Sequence, residues 1–293
     1  MLEDSALRVE ENLAERADAL EYIGFAEQVL TAEARRYGAT EDYRGLRRAL
    51  KTLAQELETV DHALFDRMRH RIRTGELRGD ALRQRLDAFT DYRPGNTDHR
   101  HLSFDTLDAV INGLLLGQPV PDPTVTLTPE MISYQATPGS VILELVDRVD
   151  VNTETRFFDI GSGLGKVPLL VHLLTGATVV GIELDAALCG YARAQAQRLG
   201  LDTGKTVRFV TGDAREVNYT SGDVFYLFTP FTGTILRAVL DKLARDIQAR
   251  KRQCPIWICT HGPCTPAVAE VAWLRNVDGN ADDPFKLAVF RSR

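Results

Sequence analysis

From Leu2 to about Leu116 the apolar residues recur at helical spacing, with almost no alternating or continuous apolar runs. Leu46, Leu50, Leu53, Leu57, Val60 and Leu64, separated alternately by four and three positions, fall on one stripe of a helix. That stripe needs a partner. The segments around Val9, Leu13 and Leu20 and around Leu102, Phe104, Leu107, Val110, Ile111 and Leu114 can cover it. An intramolecular bundle is favoured over a dimerising coiled coil, because only about three heptads are present. A homodimer through this helical half stays open as the alternative.

Gly113, Gly117, Pro119, Pro121 and Pro123 then break the periodicity and predict a linker, with a boundary near residue 125. Beyond it the pattern alternates. Strand-like runs fall at 156–160, 178–183, 206–211, 224–229, 256–260 and 286–291, with helical segments between most of them. Strand and helix taking turns predicts an α/β fold with a parallel sheet and right-handed crossovers. Trp273 to Val277 and Phe285 to Phe290 are separated only by the turn-rich stretch Asp278 to Pro284, too short for a crossover helix. They are expected to pair as an antiparallel hairpin. The organisation expected is therefore an all-α domain over 1–125 and a Rossmann-like domain over 126–293.

Composition narrows the function classes. The chain has 293 residues, 44% hydrophobic and 26% charged, with a formal net charge of -6, which argues against an extended nucleic-acid surface. The dense basic stretch runs through Arg67, Arg69, Arg71, Arg73, Arg78, Arg83 and Arg85. Spacing of two residues spreads such side chains around a helix, so a solvated face is expected rather than a groove-facing edge. There is no apolar run of roughly 18 residues, and Met1-Leu2-Glu3-Asp4 is acidic, so a cytoplasmic protein without membrane contact is expected. Cys189, Cys254, Cys259 and Cys264 are read as reduced core thiols, since four residues between neighbours is not the usual zinc spacing. No metal is expected.

The chemistry concentrates in Phe157-Phe158-Asp159-Ile160-Gly161-Ser162-Gly163-Leu164-Gly165-Lys166, where an apolar strand ends in three alternate glycines and leads into a helix. A second apolar strand follows and ends at Glu183, which makes a βαβ nucleotide-binding unit. A dinucleotide site would place its third glycine at Lys166. Asp159 at the strand tip would repel a pyrophosphate and attract an ammonium group, so a cationic ligand suits the loop better than a nicotinamide cofactor. Glu183 can accept from a ribose diol, and Asp213 at the third strand tip can accept from an adenine amine.

At this point the sequence resembles the class I S-adenosylmethionine-dependent methyltransferases, over roughly residues 128 to 293. Asp159 to Gly165 looks like the family's glycine motif, Gly181-Ile182-Glu183-Leu184-Asp185 like its ribose-binding strand end, and Gly212-Asp213-Ala214 like its adenine-side acid. Tyr134-Gln135-Ala136-Thr137-Pro138 is similar to the loop that lids the methionine end of the cofactor in Dot1-like and related bacterial lysine methyltransferases. After the fourth strand the chain reads Phe228-Thr229-Pro230-Phe231, and lacks both the Asn-containing motif of those enzymes and the Asn-Pro-Pro-Tyr type of motif.

The resemblance implies a seven-stranded sheet with a terminal antiparallel hairpin and S-adenosyl-L-methionine as cofactor. The cofactor contacts expected are Tyr134, Thr137, Asp159, Gly161, Ser162, Gly163, Gly165, Glu183, Leu184, Asp213, Ala214 and Thr229. Thr229, Pro230 and Phe231 are expected at the methyl rim, with Tyr134 closing over it and His261 as candidate base. His172, Tyr226, Trp257 and Trp273 are expected to be packed residues. The expected acceptor is a protein side chain such as lysine. The alternatives are a small-molecule acceptor, with the helical half closing over a buried pocket, and a non-catalytic cofactor-binding scaffold.

Overall fold

A computed structural model describes residues 5–10, 12–38, 40–88, 106–250 and 254–293. Two long helices, α1 (Leu13–Tyr37) and α2 (Glu41–Arg73), pack as a hairpin, followed by α3 (Asp80–Asp87) and α4 (Thr106–Leu115). Thr40 caps α2, its hydroxyl accepting from the Tyr43 amide at 3.3 Å. The stripe is covered within the chain. Leu50, Leu53 and Leu57 pack with Leu7, Ala19 and Ile23, while Leu64 and the residues after it turn towards Leu107, Val110, Ile111 and Leu114 of α4. Leu46 does not join the core and stays 46% exposed, and Val60 is half-buried. Leu102, Phe104 and Leu2 lie outside the described residues.

The second half forms a seven-stranded sheet of order β3-β2-β1-β4-β5-β7-β6. Its strands are β1 (Arg156–Ile160), β2 (Thr178–Glu183), β3 (Val207–Thr211), β4 (Val224–Leu227), β5 (Trp257–Thr260), β6 (Leu274–Asn276) and β7 (Ala288–Ser292). The first five are parallel and β7 is antiparallel to both β5 and β6, so the closing hairpin forms. α5 (Gly139–Arg148), α6 (Lys166–Thr175), α7 (Ala186–Arg198), α8 (Gly233–Gln248) and the short α9 (Thr265–Ala269) flank the strands.

One core cluster runs from Leu13, Leu64 and Ile72 through Val110, Ile111 and Leu114 of α4 into Leu145, Leu170, Phe157 and Val179, without a break at residue 125. A Cβ on Gly139 would lie 2.5 Å from Cδ1 of Ile111, so α4 and α5 meet closely there. Burying side chains such as Ile72 and Leu145 stabilises the fold by about 1.5–3 kcal/mol each.

The arginine-rich stretch differs in part from expectation. Arg69 is buried and donates to the Gly113 carbonyl at 2.7 Å and the Leu114 carbonyl at 3.2 Å, capping the end of α4. Arg67 pairs with Glu10, Arg73 donates to the Arg198 carbonyl, Arg78 to the Ile72 carbonyl, and Arg83 forks onto Asp147 at 2.7 and 2.9 Å. Arg67, Arg71 and Arg73 are exposed, as expected of a solvated face, while Arg69 is buried and several of these side chains also tie elements together. The cysteines divide as well: Cys189, Cys259 and Cys264 are buried, but Cys254 is exposed. Trp257 and Trp273 are half-buried rather than fully packed, while Tyr226 and His172 are buried as expected.

Candidate functional site

A cavity of about 480 Å³ opens at the carboxyl ends of β1, β2, β3 and β4, where open α/β sheets bind ligands. Its floor is the glycine loop. Gly161, Gly163 and Gly165 have φ of +86°, +49° and +82°, a region that side-chain-bearing residues avoid. The Gly161 and Ser162 amides both donate to the Ile182 carbonyl at 2.9 Å, which locks the loop to the end of β2.

Of the residues expected at the site, Tyr134, Thr137, Asp159, Gly161, Ser162, Glu183, Leu184, Asp213, Ala214, Thr229, Pro230 and Phe231 line this cavity. Gly163, Gly165 and His261 do not line it. A Cβ on Gly163 would lie 2.1 Å from the Tyr134 ring, and one on Gly165 would meet Ala192 and Phe209. The space beside these two glycines is therefore filled by the protein. The His261 ring packs against Phe228, with centroids 4.9 Å apart.

The three acids at successive strand tips have different surroundings. Asp159 is 3% exposed, and among the described residues none donates a hydrogen bond to its carboxylate. Burial, with Glu183 nearby, pushes its pKa well above the usual carboxylate range. Glu183 already accepts from the Gly163 amide at 2.8 Å and the Asp185 amide at 2.9 Å, one bond to each oxygen. Asp213 is gripped by Arg215, whose Nη2 lies 2.5 Å from Oδ2, and that guanidinium holds its pKa below the usual value.

The rim is built at the end of β4. Thr229 has a φ of +40°, a strained setting for a β-branched residue. Its hydroxyl donates to the His261 carbonyl at 2.9 Å and accepts from the Cys264 amide at 3.1 Å. These bonds hold the backbone turn that presents Pro230 and Phe231. Pro230 sits so close to Gly161 that a Cβ there would approach it to 2.3 Å.

Sequence reasoning places Tyr134 and Thr137 over the cavity but misses the part of the roof that precedes them. Pro123, at the end of the segment read as a linker, and Val125, Leu127, Met131 and Ile132, to which the sequence reading assigns no role, are among the cavity lining. Asp185 fastens this stretch: the carboxylate accepts from the Thr124 and Val125 amides at 2.5 and 2.8 Å while capping α7 through the Ala187 amide at 2.8 Å. Burial raises the pKa of Asp185, but these amides and that of Leu188 outweigh it and bring it to about 2. Glu130 binds the Thr234 and Ile235 amides at the start of α8, and Tyr191 donates to the Leu116 carbonyl at 2.6 Å. Lys166, which enters the sequence reading only as a missing glycine, is 2% exposed, lines the cavity and pairs with Asp108 of α4.

The family model described as "Histone methylation protein DOT1" matches residues 132–223, which hold the glycine loop and its three acids. No curated protein matches the chain at a significant level. Among solved structures, an RNA methyltransferase from Salinibacter ruber in complex with S-adenosyl-L-homocysteine is similar at 23% identity and a TM-score of 0.42, covering 54% of this chain and 92% of that one. A methyltransferase from Thiobacillus denitrificans, also with S-adenosyl-L-homocysteine, is 24% identical with a TM-score of 0.35, covering 45% of this chain and 54% of that one. A third, from Geobacter sulfurreducens with the same ligand, is 23% identical with a TM-score of 0.34, covering 45% and 53%. The fold and the glycine-loop segment resemble those of the class I S-adenosylmethionine-dependent methyltransferases.

Proposed function

We propose that this chain binds S-adenosylmethionine and catalyses methyl transfer to a protein side chain such as lysine. The observation that carries the cofactor reading is Asp159, a buried carboxylate facing the cavity with no donor from the described residues. A buried charge of this kind calls for a cationic partner. The ligand's ammonium supplies one. Glu183 retains acceptor capacity on both oxygens for a ribose diol, and Asp213 can accept from an adenine amine while it shares Arg215.

S-adenosylmethionine, when bound, supplies an already activated methyl group for an in-line displacement. The protein's work is to position the acceptor and exclude water. Met131, Ile132, Phe228 and Phe231 give the cavity an apolar wall. An amine entering along it loses solvation, which lowers its pKa and favours the neutral nucleophile. Because His261 stands behind Phe228, deprotonation is assigned to desolvation rather than to that ring. No described residue before Pro123 lines the cavity, which favours a side chain entering from outside over a chamber closed by the helical half. The roof segment supports a second reading, a small-molecule acceptor covered by residues 123–135.

Titration calorimetry with S-adenosylhomocysteine and with NADH tests the cofactor: binding of NADH alone would sink the proposal. A methyl-labelled donor incubated with a cell lysate then separates the acceptors. Label in a polypeptide supports the first reading, and label confined to small molecules supports the second.

A further inference from the structure

The leucine stripe of α2 is covered within the chain, but α1 carries a second stripe that the described residues leave open. Asp18, Tyr22, Phe25, Val29, Ala32 and Arg36, separated alternately by four and three positions, all stand exposed. Tyr22 is 59%, Phe25 63% and Val29 44% exposed, on a helix whose other side holds Leu13, Ala19 and Ile23 in the core. Glu21, Gln28 and Arg35 stand exposed along one flank. Among the described residues, Asp18, Glu21, Arg35 and Arg36 form no ion pair, and Arg36 stacks only on its neighbour Tyr37. An apolar line bounded by unpaired acids at one end and arginines at the other is a face that can be covered by a partner.

The order of these residues identifies the partner. We infer that the face binds a second copy of this chain, α1 against α1 and antiparallel, about a two-fold axis beside residue 27. In that register Phe25 meets the partner's Val29, Tyr22 the partner's Ala32 and Asp18 the partner's Arg36, with Glu21 opposite the partner's Arg35 on the flank. Two-fold symmetry repeats every contact, so the apolar centre is bracketed by opposite charges at both ends. A parallel pairing would instead set acid against acid and arginine against arginine. Glu27 lies off the face, in a groove it lines with Arg47 and Lys51 of α2. The stripe is shorter than three heptads, but α1 is already ordered against α2, so association does not bear the cost of forming the helix. No residue of α1 lines the cavity, so each copy keeps a site of its own and the association does not depend on the cofactor reading.

The test is sedimentation equilibrium on the full chain, which should show a monomer–dimer equilibrium with a Kd on the order of micromolar. Phe25→Glu should weaken association by at least about a hundredfold, because this side chain lies at the centre of the contact. Asp18→Arg and Arg36→Asp should each weaken it by roughly tenfold, since like charges then face each other at both ends. Mixed together, these two variants should regain wild-type affinity as a heterodimer, because both ends are again complementary. Unchanged circular dichroism reports that the variants are folded. The inference is overturned if the wild type stays monomeric at about 100 µM, if Phe25→Glu dimerises like the wild type, or if the mixture associates no more tightly than its two components.

Discussion

Asp185→Asn is the perturbation that most directly tests how the roof is held. Oδ2 accepts from the Thr124 and Val125 amides, and Oδ1 from the Ala187 and Leu188 amides. Whichever way an asparagine amide is turned, its NH₂ faces two backbone donors. Two charge-assisted bonds are lost, each worth about 1.5–3 kcal/mol. Glu130 and Tyr191 still secure the segment elsewhere, so the lower end, about 3 kcal/mol, is expected. At roughly 2–3 °C per kcal/mol for a chain of this size, the melting temperature should fall by about 6–9 °C. Ligand affinity should fall too, because Val125 and Leu127 leave the cavity wall. Acid adds a second check. The carboxylate's pKa is about 2 in the native protein and about 3.9 unfolded, so its stabilisation is complete above the unfolded value. It is lost as pH falls through about 3.9 towards 2, and the gap between wild type and variant should narrow over that window. A variant that melts within about 1 °C of wild type at neutral pH, with unchanged affinity, would refute the argument.

Three further outcomes are expected. Asp159→Asn should raise the melting temperature of the ligand-free protein while abolishing S-adenosylhomocysteine binding, since it removes a buried unpaired charge; its advantage should grow as pH rises above about 4, and a lower melting temperature at about pH 7 would contradict this. Gly163→Val collides with the Tyr134 ring, so Tyr134→Ala should restore part of the lost binding in the double variant; no recovery by calorimetry would mean the ring is not the obstacle. Arg69→Met leaves the Gly113 and Leu114 carbonyls without their donor and should cost about 2–4 kcal/mol in denaturant unfolding, whereas a loss below about 0.5 kcal/mol would show that solvent replaces it.

What can be read from the chain follows the range of the forces involved. β1 and β2 fall on the predicted residues because a continuous apolar run is a local signal, and the closing hairpin is legible from a loop too short for a helix. The acids at the strand tips are legible from their position in the chain, but their partners are not equally so. Arg215 lies two residues from Asp213 and is within reach of a local reading, whereas Asp185 meets Thr124 across 61 positions. The roof before Tyr134 has no periodicity of its own, and only its start, at Pro123, falls in the segment read as a linker. The arginines of α2 escape for a related reason: spacing tells which way a side chain points, but not that a carbonyl or carboxylate from another helix waits there.

The core that joins Leu64 and Leu114 to Leu145, Leu170 and Phe157 crosses residue 125 without a seam. A chain begun at residue 126 would therefore carry an uncovered apolar face on α5 and α6 and should aggregate rather than fold. In the intact protein the same continuity makes α2 and β1 parts of one cooperative unit. A ligand bound at the glycine loop should slow amide hydrogen exchange in the second half of α2 as well as in the strands beneath it.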